Sequence, residues 1–303
     1  MDQVAPRRAR SLPEFGATAG KMFVPDEIGA SIANYRPRPS DVVITPYGKC
    51  GTTWLQQIFH TLRTRGDFDF DDISRVVPWI ETAAATGLDI NAEQRAEPRG
   101  FKSHLDYGRV PKGARYIVSL RHPYDACVSF FHFMTGWFIE PGAVSLEEFA
   151  HMYVARAGLE TDYWHHLVSW WSERDNPDVL VLAYEQMNAD PEGTIRKVAA
   201  FSGIPLDDQL LALTLERSSF DTMMKNKDKF DDLLMRTASE TRCNLPPGSD
   251  SAKVRKGGSG QGKAELTPAL LALLDEQWAK IVAPATGFAD YGALQAEIAR
   301  RNA

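Results

Sequence analysis

Lys49, Gly51, Thr52 and Thr53 follow directly on the apolar run Val42-Val43-Ile44. An ammonium, a flexible backbone and two hydroxyls at the start of a helical pattern are phosphate-binding chemistry. The first N–H groups of a helix lack partners and point outward, so its N-terminus attracts anions. This is not the ordinary nucleotide loop. G-x-x-x-x-G-K-[ST] places two glycines five apart and a metal-binding hydroxyl directly after the lysine. Here Lys49 precedes Gly51, and Cys50 stands where the hydroxyl would be. A second chemical group is His104, in Phe101-Lys102-Ser103-His104-Leu105. Its imidazole is suited to accept a proton near neutral pH. Arg121, with Ser129 eight residues on, can donate to one anion. Arg255-Lys256-Gly257-Gly258-Ser259-Gly260-Gln261-Gly262-Lys263 sets cations on backbone free of clashing Cβ atoms. Neither H-E-x-x-H nor a paired-cysteine pattern occurs, so no metal site is expected.

Three short apolar runs must position these groups: residues 42–45, 116–120 and 179–183 read as buried strands, with 99–102 as a further short strand. Helical patterns fall at 52–65, 123–134, 145–156, 163–174, 191–202, 206–216 and 268–282. Pro123 and Pro191 sit at first-turn positions, where a missing N–H is harmless. Ser145 and Glu148 have capping-box spacing. Strands separated by helices imply an α/β fold, with a parallel sheet covered on both faces. Such a sheet binds ligands beyond its strands' carboxyl ends. Lys49, His104, Arg121 and Tyr184 each follow one. Residues 1–20 read as a loose basic arm ahead of a single domain over 21–303. The acidic Asp67–Asp72 cluster reads as a solvated face, and residues 236–265 as a long mobile loop.

The 303 residues carry a formal charge of −6, which argues against a nucleic-acid binder. No apolar run of about 18 residues exists, so no membrane span is expected. The basic N-terminus lacks a following apolar h-region and is not read as a secretory signal. Cys50, Cys127 and Cys243 are odd in number and widely spaced, which suits a reducing compartment. Cys50 allows two readings: a small side chain packed under the loop, or, if exposed beside Lys49, a thiol of lowered pKa.

The segment 42–54 resembles the 5′-phosphosulfate loop of the cytosolic sulfotransferases, T-Y-P-K-S-G-T-T-W. Lys49, Gly51, Thr52, Thr53 and Trp54 match it, Cys50 replaces the family serine, and Pro46-Tyr47-Gly48 replaces Tyr-Pro. The stretch Tyr116–Phe133 is similar to the family's 3′-phosphate motif, whose Arg and Ser fall on Arg121 and Ser129. Residues 255–263 resemble its R-K-G-x-x-G-D-W-K loop, placing Arg255, Lys256 and Gly257 at the 3′-phosphate, with Gln261-Gly262 where the family has Asp-Trp. Tyr184, Ser218, Phe220 and Met223 look like its adenine-pocket residues, and Trp54 offers a face for the base. Phe101–Leu105 is similar to K-T-H-L.

The resemblance spans roughly residues 40–285. It implies a P-loop-containing three-layer α/β sandwich and a cytoplasmic enzyme. The implied donor is 3′-phosphoadenosine 5′-phosphosulfate (PAPS), giving adenosine 3′,5′-bisphosphate (PAP) as product without a metal. His104 is the implied base, with Lys49 and Lys102 supplying positive charge at the transferring group. The acceptors implied are small, apolar or lipid-like alcohols, phenols or amines, glycolipids among them. The aromatic stretch Phe130–Phe138 with Trp79 and Met152 reads equally as such a pocket or as core. The family's dimer motif, K-x-x-x-T-V-x-x-x-E, is half present: Lys263 and Thr267 match, Pro268 and Ala272 do not. Oligomeric state stays open. Two other functions share these features: a catalytically silent nucleotide-binding protein and a P-loop kinase, the latter lacking its metal hydroxyl here.

Overall fold

The computed structural model describes residues 5–155, 162–249, 251, 253–254 and 257–302. Helices α1 (Leu12–Met22) and α2 (Pro25–Asn34) precede the first strand, β1 (Val42–Ile44), and α3 (Thr52–Thr64) follows it. The remaining strands are β2 (Gly100–Lys102), β3 (Arg115–Leu120) and β4 (Val179–Ala183). All pair in parallel in the order β2-β1-β3-β4. Val42 lies opposite both Gly100 and Arg115, which fixes the register of the central strand.

Parallel neighbours need long crossovers, so helices cover both faces and the strands read as continuous apolar runs. Val42, Val43 and Ile44 are all fully enclosed. Side chains alternate across the sheet with period two. Val43, Phe101, Val118 and Val181 enter the core shared with helices Pro123–Met134 and Tyr163–Trp171. Val42, Ile44, Ile117 and Leu182 enter the other, with α3, Pro191–Ser202 and Asp208–Arg217. The result is the three-layer α/β sandwich expected.

The capping signals act as their chemistry requires. The Glu148 amide donates to Ser145 Oγ (3.1 Å), and the Ser145 amide donates to Glu148 Oε2 (2.8 Å). Successive connections leave β1 toward β2 on one side and β3 on the other. A crevice therefore opens beyond the carboxyl ends of β1 and β3, where ligands enter such sheets.

Three expectations need correction. Of the expected loose arm 1–20, residues 1–4 lie outside the described residues and 12–20 are not loose, because α1 begins at Leu12. Ser11 caps it by accepting the Glu14 amide (3.3 Å), Phe15 and Met22 are buried, and the Ala9 amide donates to the Phe138 carbonyl (2.8 Å). Ser11-x-x-Glu14 is itself a capping-box spacing, masked by the surrounding Gly and Ala. Residues 236–265 are not one mobile loop, since helices Leu233–Cys243 and Gly262–Glu265 occupy both ends. Pro246, Pro247, Gly248, Gly257, Gly258 and Gly260 fall in the stretch between. The acidic 67–72 cluster is a solvated face only in part: Asp69 and Asp71 are exposed, whereas Asp72 is fully buried, accepting the amides of Ser74 (2.8 Å) and Leu234 (2.9 Å). No helix among the described residues is long and apolar enough to cross a membrane.

Candidate active site

The turn between β1 and α3 is a strained cradle. Lys49 and Gly51 both adopt left-handed backbone, with φ 70° and 99°. A Cβ on Gly51 would lie 2.9 Å from the Tyr184 ring and 3.2 Å from Ser119 Oγ, so only glycine fits. The Ser119 hydroxyl donates to the Cys50 carbonyl and pins the loop to β3. Thr52 begins the helix and lines the crevice. Its Oγ1 is buried without a protein partner, as is Arg121 Nε across the gap. Buried donors without acceptors are costly unless a ligand supplies them. Arg121 also donates to the Lys49 carbonyl (2.9 Å), and its guanidinium lies 4.3 Å from the Tyr184 ring centre.

Lys49, Gly51, Thr52, Thr53, Trp54, Lys102, His104, Arg121, Ser129, Tyr184, Ser218, Phe220, Met223 and Gly257 all line one cavity of about 1280 Å³. Cys50 does not. It is 1% exposed, and burial pushes its thiol up to about 12, so the packing role holds and the activated thiol does not. Arg255 and Lys256 lie outside the described residues. Gly257 packs against Phe220, where a Cβ would approach the ring to 2.7 Å. The Trp54 and Tyr184 rings meet edge to face at 6.0 Å.

His104 stands between the cradle and an aromatic wall. Its Nδ1 donates to the Pro46 carbonyl (2.7 Å), and its ring meets Trp79 edge to face at 5.1 Å. That bond fixes the tautomer and leaves Nε2 as an acceptor. Burial, then the Lys102 charge, holds the imidazole well below its usual pKa, so it stays neutral at pH 7. Lys102 Nζ lies 3.9 Å from the Trp79 ring centre, and Lys49 Nζ 4.2 Å from that of Phe133. Burial and then repulsion from Lys253 bring the Lys102 ammonium down to about 8. The same causes, in the same order, lower Lys49.

Away from the cradle the cavity is apolar. Phe130, Phe133, Met134, Trp137, Phe138, Trp79 and Met152 line it, so this stretch is pocket wall. Opposite stand Leu12, Phe15, Ala19 and Phe23 of α1 and its end, with Ile28 and Ile32 of α2. Sequence reasoning missed this second wall, for which Ser11-x-x-Glu14 was the only signal. It also missed Glu81, which accepts the His104 amide (2.7 Å). Asp125 was missed too. Its two oxygens accept the amides of Gly260 and Gly262, each at 2.6 Å, tying the glycine-rich segment to helix Pro123–Met134. Gly262 is obligatory there, since a Cβ would meet Tyr124 backbone at 2.5 Å. Thr267 of the half dimer motif caps the next helix, its Oγ1 accepting the Leu270 amide (3.3 Å), and Lys263 lies in helix Gly262–Glu265. Among the described residues no group of three or more His, Cys, Asp or Glu is placed to hold a metal.

A parallel sheet with an anion cradle at its switch point defines an α/β protein of the P-loop-containing class. Residues 39–283 match the sulfotransferase domain family, and the chain belongs to it: it is a sulfotransferase. It is 28% identical over 263 residues to sulfotransferase 1A1 of Bos taurus, covering 83% of this chain and 86% of that protein. It is 28% identical over 281 residues to luciferin sulfotransferase of Photinus pyralis, covering 82% and 73%. The fold is shared with retinol dehydratase, solved with androsterone and inactive cofactor PAP. That similarity has a TM-score of 0.67 at 19% identity, over 91% of this chain and 95% of that one.

Proposed function

We propose that the enzyme transfers the sulfuryl group of PAPS to a hydroxyl of a small apolar or lipid-like acceptor. The acceptor oxygen attacks sulfur in line as the bond from sulfur to the 5′-phosphate oxygen breaks, leaving the electron pair on PAP. His104 Nε2 takes the hydroxyl proton. Lys49 balances charge on the departing phosphate, and Lys102 on the transferring group. The amides of Gly51–Thr53 and the hydroxyls of Thr52 and Thr53 hold the 5′ end. Cys50 contributes only its backbone. Arg121, Ser129, Arg255, Lys256 and Gly257 hold the 3′-phosphate. Trp54, Tyr184, Ser218, Phe220 and Met223 hold adenine. The chain is read as one domain.

One observation carries this reading: a single cavity joins the cradle to an apolar chamber, with His104 touching both. The co-occurrence of androsterone and PAP in a relative of the same fold supports an apolar alcohol as acceptor. The test is to incubate the protein and sulfate-labelled PAPS with lipid and small-molecule extracts, then identify labelled products by mass. Label on apolar alcohols or lipids is expected, without added magnesium. Label confined to polar metabolites would overturn the acceptor assignment.

A further inference from the structure

The cavity also holds a buried ion pair that none of the roles above uses. Asp232 adopts left-handed backbone (φ 49°) just before helix Leu233–Cys243 and is 1% exposed. Its Oδ1 is paired with the ammonium of Lys253 and lies 4.0 Å from Lys102 Nζ. Both Asp232 and Lys253 line the cavity, and the Lys253 side chain is 7% exposed. Burial works against ionisation of Asp232, yet Lys253 and Lys102 together bring its carboxyl down to about 2. Asp232 is therefore a carboxylate.

Its position is specific. Lys253 exerts the largest charge effect on both Lys49 and Lys102, and it shares Asp232 Oδ1 with Lys102 of the histidine segment. Four cations, Lys49, Lys102, Lys253 and Arg121, thus surround this space with Asp232, while Glu81 stands behind His104. An excess of buried positive charge is unfavourable in an empty site and suits a ligand bringing several negative charges. A carboxylate there would repel that ligand unless its charge is spent on a partner: Lys253 is that partner before the ligand arrives, and Lys102, 4.0 Å from the same oxygen, stays beside it when Lys253 turns to the ligand.

Resting on the sulfotransferase reading above, we propose that Lys253 is a further catalytic residue. Its ammonium swings from Asp232 onto the sulfonate oxygens of the donor, and Asp232 holds it in place until the donor arrives. A lysine suits this exchange, being a point charge on a flexible four-carbon stem. No bond forms to Lys253 during transfer. The acceptor oxygen bonds to sulfur, the bond to the phosphate oxygen breaks, and the proton passes to His104. Lys253 balances charge on the sulfonate as it moves between the two oxygens.

The test compares PAPS, which carries the sulfonate, with PAP, which does not. Lys253→Met is expected to weaken PAPS binding roughly tenfold while PAP affinity moves less than about twofold. It should also lower kcat by about 10–100-fold. Asp232→Asn frees the ammonium and should tighten PAPS selectively. The double variant, with no uncompensated buried charge, should keep the fold and match Lys253→Met in kcat. Equal loss of PAP and PAPS affinity, or an unchanged kcat in Lys253→Met and the double variant, overturns the proposal and leaves the pair a strut. If the wild-type chain binds neither nucleotide, the underlying donor assignment falls instead, a result distinct from either.

Discussion

At its cradle end the cavity is walled by strand termini and a helix N-terminus; at its apolar end it is walled by side chains of α1, α2 and helix Pro123–Met134. The cradle is held by backbone geometry that few residues tolerate: left-handed Lys49 and Gly51, and buried donors on Thr52 and Arg121 left for a ligand. The apolar wall requires only shape. Its residues are exchangeable with other hydrophobes, and a Cβ added at Gly16 or Gly20 of α1 or Gly29 of α2 would meet nothing within 4 Å. A group-transfer enzyme of this design keeps one end fixed for a common donor and lets the other drift with the acceptor.

The largest expected effect breaks the cradle. Lys49→Met should lower kcat by about 10²–10³-fold, because a charge aimed at the leaving oxygen acts in the transition state. Steady-state kinetics at saturating donor would show it, and a change confined to acceptor KM would place Lys49 at the wrong end.

A smaller effect follows from Lys102, whose ammonium is held down to about 8. It is charged below that pH and loses its proton above it, removing a positive charge from the site. PAPS affinity should therefore be full below pH 8 and fall by up to about tenfold per unit above it, with proton uptake on binding. Calorimetry in buffers of different ionisation enthalpy measures both. His104 contributes no loss on the acid side until well below pH 6.5, since its imidazole is already neutral.

Smaller still is the change at the apolar wall. Ala19→Phe on α1 should raise KM for a bulky acceptor by about tenfold, the scale of a pocket methylene or two, and leave PAP affinity unchanged. Equal effects on both ligands would mean the two ends are not separable.

The same contrast explains what could be read before the structure. Four strands, the cradle and His104 were legible because phosphate binding and proton transfer demand particular residues at particular spacings. Arg121 landed beside Lys49 because both follow neighbouring parallel strands. The wall from α1 and α2 was not legible, since Leu12, Phe15 and Ala19 carry no chemistry beyond being apolar. Phe130–Phe138 read equally as core or pocket, and only the packing of α1 across from it decides. Asp125 and Asp232 were invisible for another reason: their partners lie 135 residues away at Gly260 and across the cavity at Lys253. Long-range ion pairs and carboxylate–amide ties leave no local pattern.

The claim on which the rest depends is that His104 takes a proton from an acceptor lying against a separately held donor. Measuring kcat and the PAP dissociation constant of His104→Ala side by side tests it most directly. The account predicts kcat down by about 10²–10⁴-fold with PAP affinity within about twofold of wild type. Turnover that survives the substitution, or PAP affinity that falls together with it, would contradict that assignment.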